Sequence, residues 1–348
     1  MSHRKIRIRL FAVLVVAAML LAACSRGSSK AADAPASAAA GPKAPTYVIK
    51  MGQCYALNDN IQLAALMLSD LVFERTNGDV KIEVFGGGQL GGTVEQMEMV
   101  QNGILPACAE AINAMDGFVP LAGIESYPFL FESPQQLFRF LNSDLAQELW
   151  KDIGQDYFVL TGAQFRGVRM LQTTRPVRQL SDLKGLKLRT ANMKILHRPW
   201  EFLGAATTPM TFTEIYMGLQ QGTIEGQENP LFTSYASGFH EIEKYVINTE
   251  HVFGFVAFVW NKAFFESLPK NYQDIIRKAS DEVAEWRNGI EADAQKEYIK
   301  LFLDAGLELI ELKDLDKWRA ALVEPLKQEF PYMQDWVNRI KEFNKSNP

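Results

Sequence analysis

The sequence is poor in the residues from which most active centres are built. It holds four histidines and three cysteines in 348 residues. The histidines in the body of the chain, His197, His240 and His251, fall in no metal-ligand spacing, and His240-x-x-Glu243 reads as a solvated face. There is no G-x-S-x-G elbow for a nucleophilic serine. The glycine run Gly86 to Gly92 lacks both the Lys-Ser/Thr ending of a phosphate loop and the spacing of a dinucleotide fingerprint. An enzyme is therefore not expected, and neither a cofactor nor a metal. No basic patch or basic amphipathic arm is present, which argues against nucleic acid as a partner. Long apolar runs are also missing, apart from one of about 14 residues near the N-terminus, where a membrane span needs ~20.

What is present is an ordinary soluble composition, 47% hydrophobic and 22% charged, long enough for about two domains and a large core. The first 23 residues read as a targeting segment: Arg4, Lys5, Arg7 and Arg9 give a positive start, and Leu10 to Leu20 is apolar. Leu21-Ala22-Ala23-Cys24 resembles a bacterial lipobox, with cleavage before Cys24 and lipid on its thiol. Residues 24–46, rich in Ala, Ser, Gly and Pro, read as a flexible tether. With the four leading basic residues removed, 32 of 36 basic residues remain against 41 acidic ones, a balance near −9. A chain so acidic binds an anion through a few local cations, not through its overall field.

Hydrophobic periodicity then gives alternating strands and helices. Tyr47 to Met51 is a first strand, and Gln53 to Asp59 its loop. Asp59 or Asn60 caps a helix running to about Thr76. Val80 to Phe85 alternates as a strand, and the glycine loop leads to a helix capped at Thr93. Ala107 to Ala111 is a small-residue strand in which Glu110 stands alone. A buried carboxylate needs a partner, so Glu110 either reaches solvent in a cleft or meets a cation or hydroxyl. Pro128 to Ile153 gives two helices with Phe129, Phe131, Phe138 and Phe140 in the core. Further on come a helix between Met193 and Gly204, one capped at Thr213, a strand over Ile224 to Glu228, and an apolar strand over Val252 to Trp260. From Leu268-Pro269 to about Asp304 the 3–4 spacing of apolar residues runs on the order of 50 Å as one helix. Glu308 to Leu312 is a last strand, and Leu315 to Phe343 forms two closing helices. Cys54 and Cys108 are expected as two small buried thiols; a bond between them needs geometry that spacing does not supply.

The densest information lies between Arg169 and Asn229. Leu186-Lys187-Leu188 alternates as a strand after the Lys184-Gly185 turn, so Arg189 emerges at its end. Ligands of open α/β sheets bind at such strand ends, and arginine grips a carboxylate bidentately. On its own, the pattern equally allows an arginine paired with a core carboxylate.

The runs GVRMLQTTRPV, DLKGLKLR, PMTFTEIYMGLQQGTIEGQENP and GGGQLGG are similar to the solute-binding protein of a TRAP (tripartite ATP-independent periplasmic) transporter, and the likeness covers roughly Tyr47 to Phe343. It implies an α/β, two-lobe periplasmic binding protein of type II-like architecture, with a hinge and a long helix spanning both lobes. Lobe I is expected at 47–166 and 255–294, and lobe II at 167–254 and 295–345. By this resemblance Arg189 clamps a ligand carboxylate, Arg169 supports it and Asn229 donates to the same group, with Pro230 fixing the backbone beside it. Phe212 covers the ligand. Glu110 lies near an acidic ligand contact, and Gln53, Cys54 and Tyr55 stand on the first lobe's wall, where Cys54 departs from the usual residues. Arg166 has no assigned role: it is a second cation for a dicarboxylate, or a surface residue. The implied partners are a small carboxylate ligand and TRAP membrane subunits, with the membrane itself touched only through the lipid. The implied setting is the periplasm. An ATP-driven importer's binding protein, or a ligand-sensing receptor, shares the two-lobe plan. The glycine wall, Cys54, Phe212 and Trp200 would admit an apolar or aromatic ligand body. Candidate ligands are a sugar acid, an amino or 2-oxo acid with a bulky side chain, and a C4-dicarboxylate.

Overall fold

A computed structural model describes residues 44–154 and 156–347; the targeting segment, Cys24 and nearly all of the tether lie outside them. Among the described residues nine strands form one sheet: β1 (Tyr47–Gly52), β2 (Val80–Phe85), β3 (Ala107–Ala111), β4 (Phe158–Thr173), β5 (Lys187–Thr190), β6 (Ala206–Pro209), β7 (Gly226–Pro230), β8 (Tyr245–Asn261) and β9 (Glu308–Glu311). The helices are α1 (Asn60–Arg75), α2 (Thr93–Gln101), α3 (Pro134–Leu141), α4 (Asp144–Gly154), α5 (Lys194–Phe202), α6 (Ile215–Gln220), α7 (Leu231–Ala236), α8 (Lys262–Ser267), α9 (Lys270–Asp304), α10 (Leu315–Glu329) and α11 (Gln334–Ser346).

The strand order is β2-β1-β3-β8-β4-β7-β5-β6, with β9 also on β8. Two parallel groups, β2-β1-β3 and β7-β5-β6, are joined by the long antiparallel pair β4–β8. Over 256–260 the outer edge of β8 pairs with β3; over 245–248 the same edge pairs with β9. Sequence alternation decides the two faces. Val256, Phe258 and Trp260 pack with α1 and α9, while Phe255, Ala257 and Val259 pack on the other side with α3, α4 and α11. The apolar run from Val252 is only the second half of β8, because the more polar residues from Tyr245 also pair with β4.

The β4–β8 ladder is irregular at three places, between Thr161/Gln164, Phe165/Gly167 and Arg169/Leu171. Phe165 faces Phe255 and Gly167 faces Gly254, so Arg166 is an extra residue in β4, a β-bulge that re-aims a side chain. Gly167 follows at φ +104°, and an added Cβ would stand 3.1 Å from Pro230. Glycine is required there both by the backbone and by the close approach. Helix α9 is 35 residues long, as its periodicity predicts, and lies along β4. The Ser280 hydroxyl bonds Thr161, and Asn288 Oδ1 accepts from the Phe165 amide at 2.7 Å.

Several local expectations shift. Asp59 caps α1, accepting from the Ile61 amide at 2.8 Å. Helix α2 is capped by Gly92, whose amide donates to Glu95, because the Thr93 hydroxyl is engaged by Cys54 Sγ. The turn before α6 is capped by Thr211 with Glu214 and not by Thr213. β7 begins at Gly226, two residues later than expected. Trp200 is a core residue wedged edge-on against His251 and Trp318, and it does not line the pocket that holds Arg189. Cys54 and Cys108 are free, buried thiols on neighbouring chain segments, with Cys108 paired to Gly52 in β1.

Glu243 is not on a solvated face. It is fully buried, accepts a 3.0 Å bond from Gln227 Nε2, and has its other oxygen unpartnered. Burial raises its carboxyl to about 8, with the Gln227 bond opposing. A carboxyl raised above its unfolded value stabilises the fold fully below about pH 4.5, and that contribution is lost as pH rises towards 8. Glu243→Gln keeps the acceptor and removes the titration. The variant should gain on the wild type by roughly 3–4 kcal/mol between pH 5 and pH 8.5, read from denaturant midpoints at both values. Parallel pH profiles for the two proteins would refute the assignment.

Candidate functional site

The ends of β1, β3, β5 and β7 converge on one narrow pocket. Tyr55 follows β1, Ala111 ends β3, Ala191 and Met193 follow β5, and Asn229 lies near the end of β7. From β4, Arg166 and Arg169 enter the same cavity, although three residues apart, because the bulge at Arg166 breaks the alternation. Phe212 closes the side beside α6 and meets Tyr55 edge-on at 5.4 Å. The glycine loop abuts the same region: a Cβ on Gly88 (φ +74°) would meet the Thr213 methyl at 3.2 Å. Only about 20 Å³ is free for a water-sized sphere, so admitting an organic acid requires the walls to separate.

Three arginines share this space with different partners. Arg169 is held by Glu228 through Nε–Oε2 at 2.5 Å and Nη2–Oε1 at 2.7 Å, with a further 2.6 Å bond to the Glu228 carbonyl. Both residues are buried. Burial alone would raise the Glu228 carboxyl, but Arg169 and His251 outweigh it and hold it at about 2. Glu228 is thus an anion and accepts at 3.1 Å from His251 Nε2. Nδ1 then accepts from the Thr249 hydroxyl at 2.9 Å. The arginine paired with a core carboxylate is therefore Arg169, which also lines the pocket.

Among the described residues Arg189 is bonded to no carboxylate. Nε and Nη2 donate to the Met210 carbonyl at 3.0 and 2.7 Å, and burial draws its pKa down to about 10, with Glu228 opposing. A guanidinium held only by a neutral carbonyl is poised to take an anion. Asn229 Nδ2 donates to Gln227 Oε1 at 2.7 Å while its side chain lines the cavity.

Glu110 and Cys54 lie behind the wall, not on it. Glu110 is fully buried and accepts from the Cys54 amide at 2.9 Å. Burial raises it to about 7 against the opposing charge of Arg166 and the Tyr55 hydroxyl bond. The partner for the lone acid is thus a hydroxyl and a nearby cation. Burial and the Glu110 charge push the Cys54 thiol well above its usual range, so it is an inert packing group. Of the first-wall residues only Tyr55 faces the cavity. Among the described residues, no group of three or more His, Cys, Asp or Glu could hold a metal ion, and no helix is long and apolar enough to cross a membrane.

Sequence reasoning did not single out Thr93, Asn113, Ala191, Met193 or Leu196 as lining residues, nor Glu228 and His251 behind them. Glu228 carried a usable signal, since it lies beside Asn229 in a strand that had to pair with something. Asn113, in a turn after β3, carried none.

This architecture is that of an extracytoplasmic binding protein. The family described as bacterial extracellular solute-binding protein, family 7, matches residues 51–331, and the chain belongs to it. The 2,3-diketo-L-gulonate-binding periplasmic protein of Escherichia coli is 28% identical over 77% of this chain and 82% of its own. The sialic acid-binding periplasmic protein of Vibrio cholerae is 28% identical over 84% and 91%. The crystal structure of a TRAP periplasmic solute-binding protein of Actinobacillus succinogenes with bound L-galactonate superposes with a TM-score of 0.81 at 26% identity, covering 86% of this chain and 99% of that one.

Proposed function

We propose that the chain captures a small organic acid outside the cytoplasm and delivers it to the membrane subunits of a TRAP transporter, acting as a binding protein and not as an enzyme. The observation that carries this reading is Arg189: a buried guanidinium at a strand end, lining the pocket, held by a backbone carbonyl and, among the described residues, bonded to no carboxylate. Family membership and relatives named for sugar-acid ligands support it. Arg189 takes the ligand carboxylate, Asn229 flanks it, Phe212 and Tyr55 cover it, and Arg169 holds the wall through Glu228. Residues 47–166 with 255–294 act as one lobe and 167–254 with 295–345 as the other, closing about the irregular β4–β8 pair while α9 stiffens it. Ligand shifts the population towards the closed form. Mass spectrometry of small molecules released from freshly purified protein tests the reading. A carboxylic acid is expected, and a neutral or cationic ligand would overturn it.

In the same reading residues 1–23 are removed, Cys24 carries lipid and residues 24–46 are the tether. A Cys24→Ala protein should then be released in soluble form or remain unprocessed. Unchanged membrane retention and mass would refute the anchor.

A further inference from the structure

Behind Asn229 runs a relay of buried amides that starts at two backbone carbonyls. Gln172, on β4, gives both hydrogens of Nε2 away, to the Met170 carbonyl at 3.2 Å and the Asn229 carbonyl at 3.0 Å. Carbonyls only accept, so the Gln172 amide cannot be turned over, and its Oε1 must face a donor. That donor is Gln227 Nε2, at 2.9 Å. The same nitrogen meets Glu243 Oε1 at 3.0 Å and the Ser234 hydroxyl at 3.2 Å. With its nitrogen fixed on that side, Gln227 presents Oε1 to Asn229, whose Nδ2 donates to it at 2.7 Å. Gln172, Gln227, Asn229 and Glu243 are all buried. Among the described residues this uses one hydrogen of Asn229 Nδ2 and leaves the other, on a residue that lines the pocket.

Glu243 ends the relay, with its Oε2 unpartnered. Gln227 Nε2 has two hydrogens and three acceptors around it. Among the described residues Gln172 Oε1 has no other donor, so Glu243 and Ser234 compete for the second hydrogen. An ionised Glu243 takes it in a charge-assisted bond, stronger than a neutral carboxyl makes. Its protonation therefore changes how strongly the Gln227 amide is polarised, and with it the Oε1 that holds Asn229. Among the described residues no charged side chain acts on Glu243: burial and the Gln227 bond alone set its protonation. β4 and α7 contribute the uncharged Gln172 and Ser234 to this cluster. The chain neighbours Glu241 and Lys244 are exposed, and Glu241 accepts from the Tyr216 hydroxyl.

We propose that Gln172, Gln227 and Glu243 are positioning residues for the pocket: they fix Asn229 as a donor to a bound carboxylate, and ionisation of Glu243 weakens that binding. This rests on the binding-protein reading, yet the relay itself is testable without a ligand. In heteronuclear NMR of the mature chain, the Asn229 side-chain amide is identified by its absence in Asn229→Ala. In the ligand-free wild type it should move with a midpoint near pH 8. It should stand still in Glu243→Gln, which keeps the acceptor without the titration, and in Gln227→Leu. Acetate then serves as the probe of the pocket. Between pH 6.5 and pH 9 the wild type should lose about threefold more acetate affinity than Glu243→Gln, because a second negative charge appears beside the relay. Glu110, raised to about 7, titrates in the same range but is present in both proteins. By reciprocity, acetate should raise the midpoint read at Asn229. At pH 7 Gln227→Leu should weaken acetate about tenfold, but less than about twofold in an Asn229→Ala background, since it acts through Asn229. Should Gln227→Leu fail to fold, the comparison of wild type with Glu243→Gln decides alone. An Asn229 signal that ignores pH, or moves equally in Glu243→Gln, would overturn the proposal. So would equal Gln227→Leu losses in the two backgrounds, or acetate that leaves the wild-type Asn229 signal unmoved. The clamp is judged separately: full acetate binding by Arg189→Met would refute the Arg189 reading and leave the ligand-free result standing.

Discussion

Arg189→Ala should weaken binding of the co-purifying acid by about 30- to several-thousand-fold, the equivalent of roughly 2–5 kcal/mol for stranding one member of a buried charge pair. The argument rests on what the guanidinium lacks. It gives two bonds to the Met210 carbonyl and none to a carboxylate, and burial holds its pKa down at about 10. Its charge is therefore a cost to the unliganded protein that a ligand carboxylate relieves. The same reasoning gives a second readout: the ligand-free variant should melt no lower than wild type, since the lost bonds are offset by the lost desolvation. Arg189→Lys keeps the charge without the fork and should recover only part of the affinity. Calorimetry and melting curves on the three proteins check both statements. Binding by Arg189→Ala within threefold of wild type would remove the clamp from this residue.

Arg169→Ala should instead fail as a protein. Its guanidinium makes two bonds to the Glu228 carboxylate and one to the Glu228 carbonyl, all buried. Removing it leaves an anion in the interior with only the His251 hydrogen bond to its carboxylate, and breaking such a pair costs about 3–5 kcal/mol. Glu228 is depressed to about 2, with Arg169 and His251 overcoming burial. The pair thus stabilises fully above about pH 4.5 and fades as pH falls towards 2. Replacing both Arg169 and Glu228 by methionine should restore much of the loss, because the desolvation of two charges disappears with them. Denaturant unfolding at pH 7 measures this. A single Arg169→Ala variant within 1 kcal/mol of wild type, well below the cost of a stranded charge, would show that the pair is not structural.

The two arginines lie in the same stretch and look alike in sequence; what separates them is a partner that only the fold supplies. Arg189 was legible because a turn, a short alternating strand and the arginine are contiguous. Helix α9 and the Asp59 cap were legible for the same reason: periodicity and capping act within a turn or two. Glu228 meets Arg169 across 59 residues through antiparallel pairing of β4 and β7, and no local pattern encodes that. The bulge that turns Arg166 inward is likewise set by the register of β4 against β8. Trp200 and Glu243 were misplaced because a helical stripe or a polar pair reads the same facing a cleft, a core or solvent. Thr93 and Thr213 were misread as caps where a neighbouring residue had the better geometry.

The position of β8 also bears on how the chain acquires its structure. This strand is late in sequence and central in space, pairing with β3, β4 and β9. A chain made from its N-terminus holds only two ribbons, β2-β1-β3 and β4-β7-β5-β6, until residues 245–261 arrive. Each ribbon has an open edge that invites pairing with another molecule. Folding must wait for those residues and then proceed through distant contacts such as Ala107 with Trp260, which makes it slow. A chain delayed in this way stays threadable through a membrane pore for longer than one whose sheet closes locally. It is also exposed to aggregation for as long, and a chain ending just before Tyr245 would never leave that state.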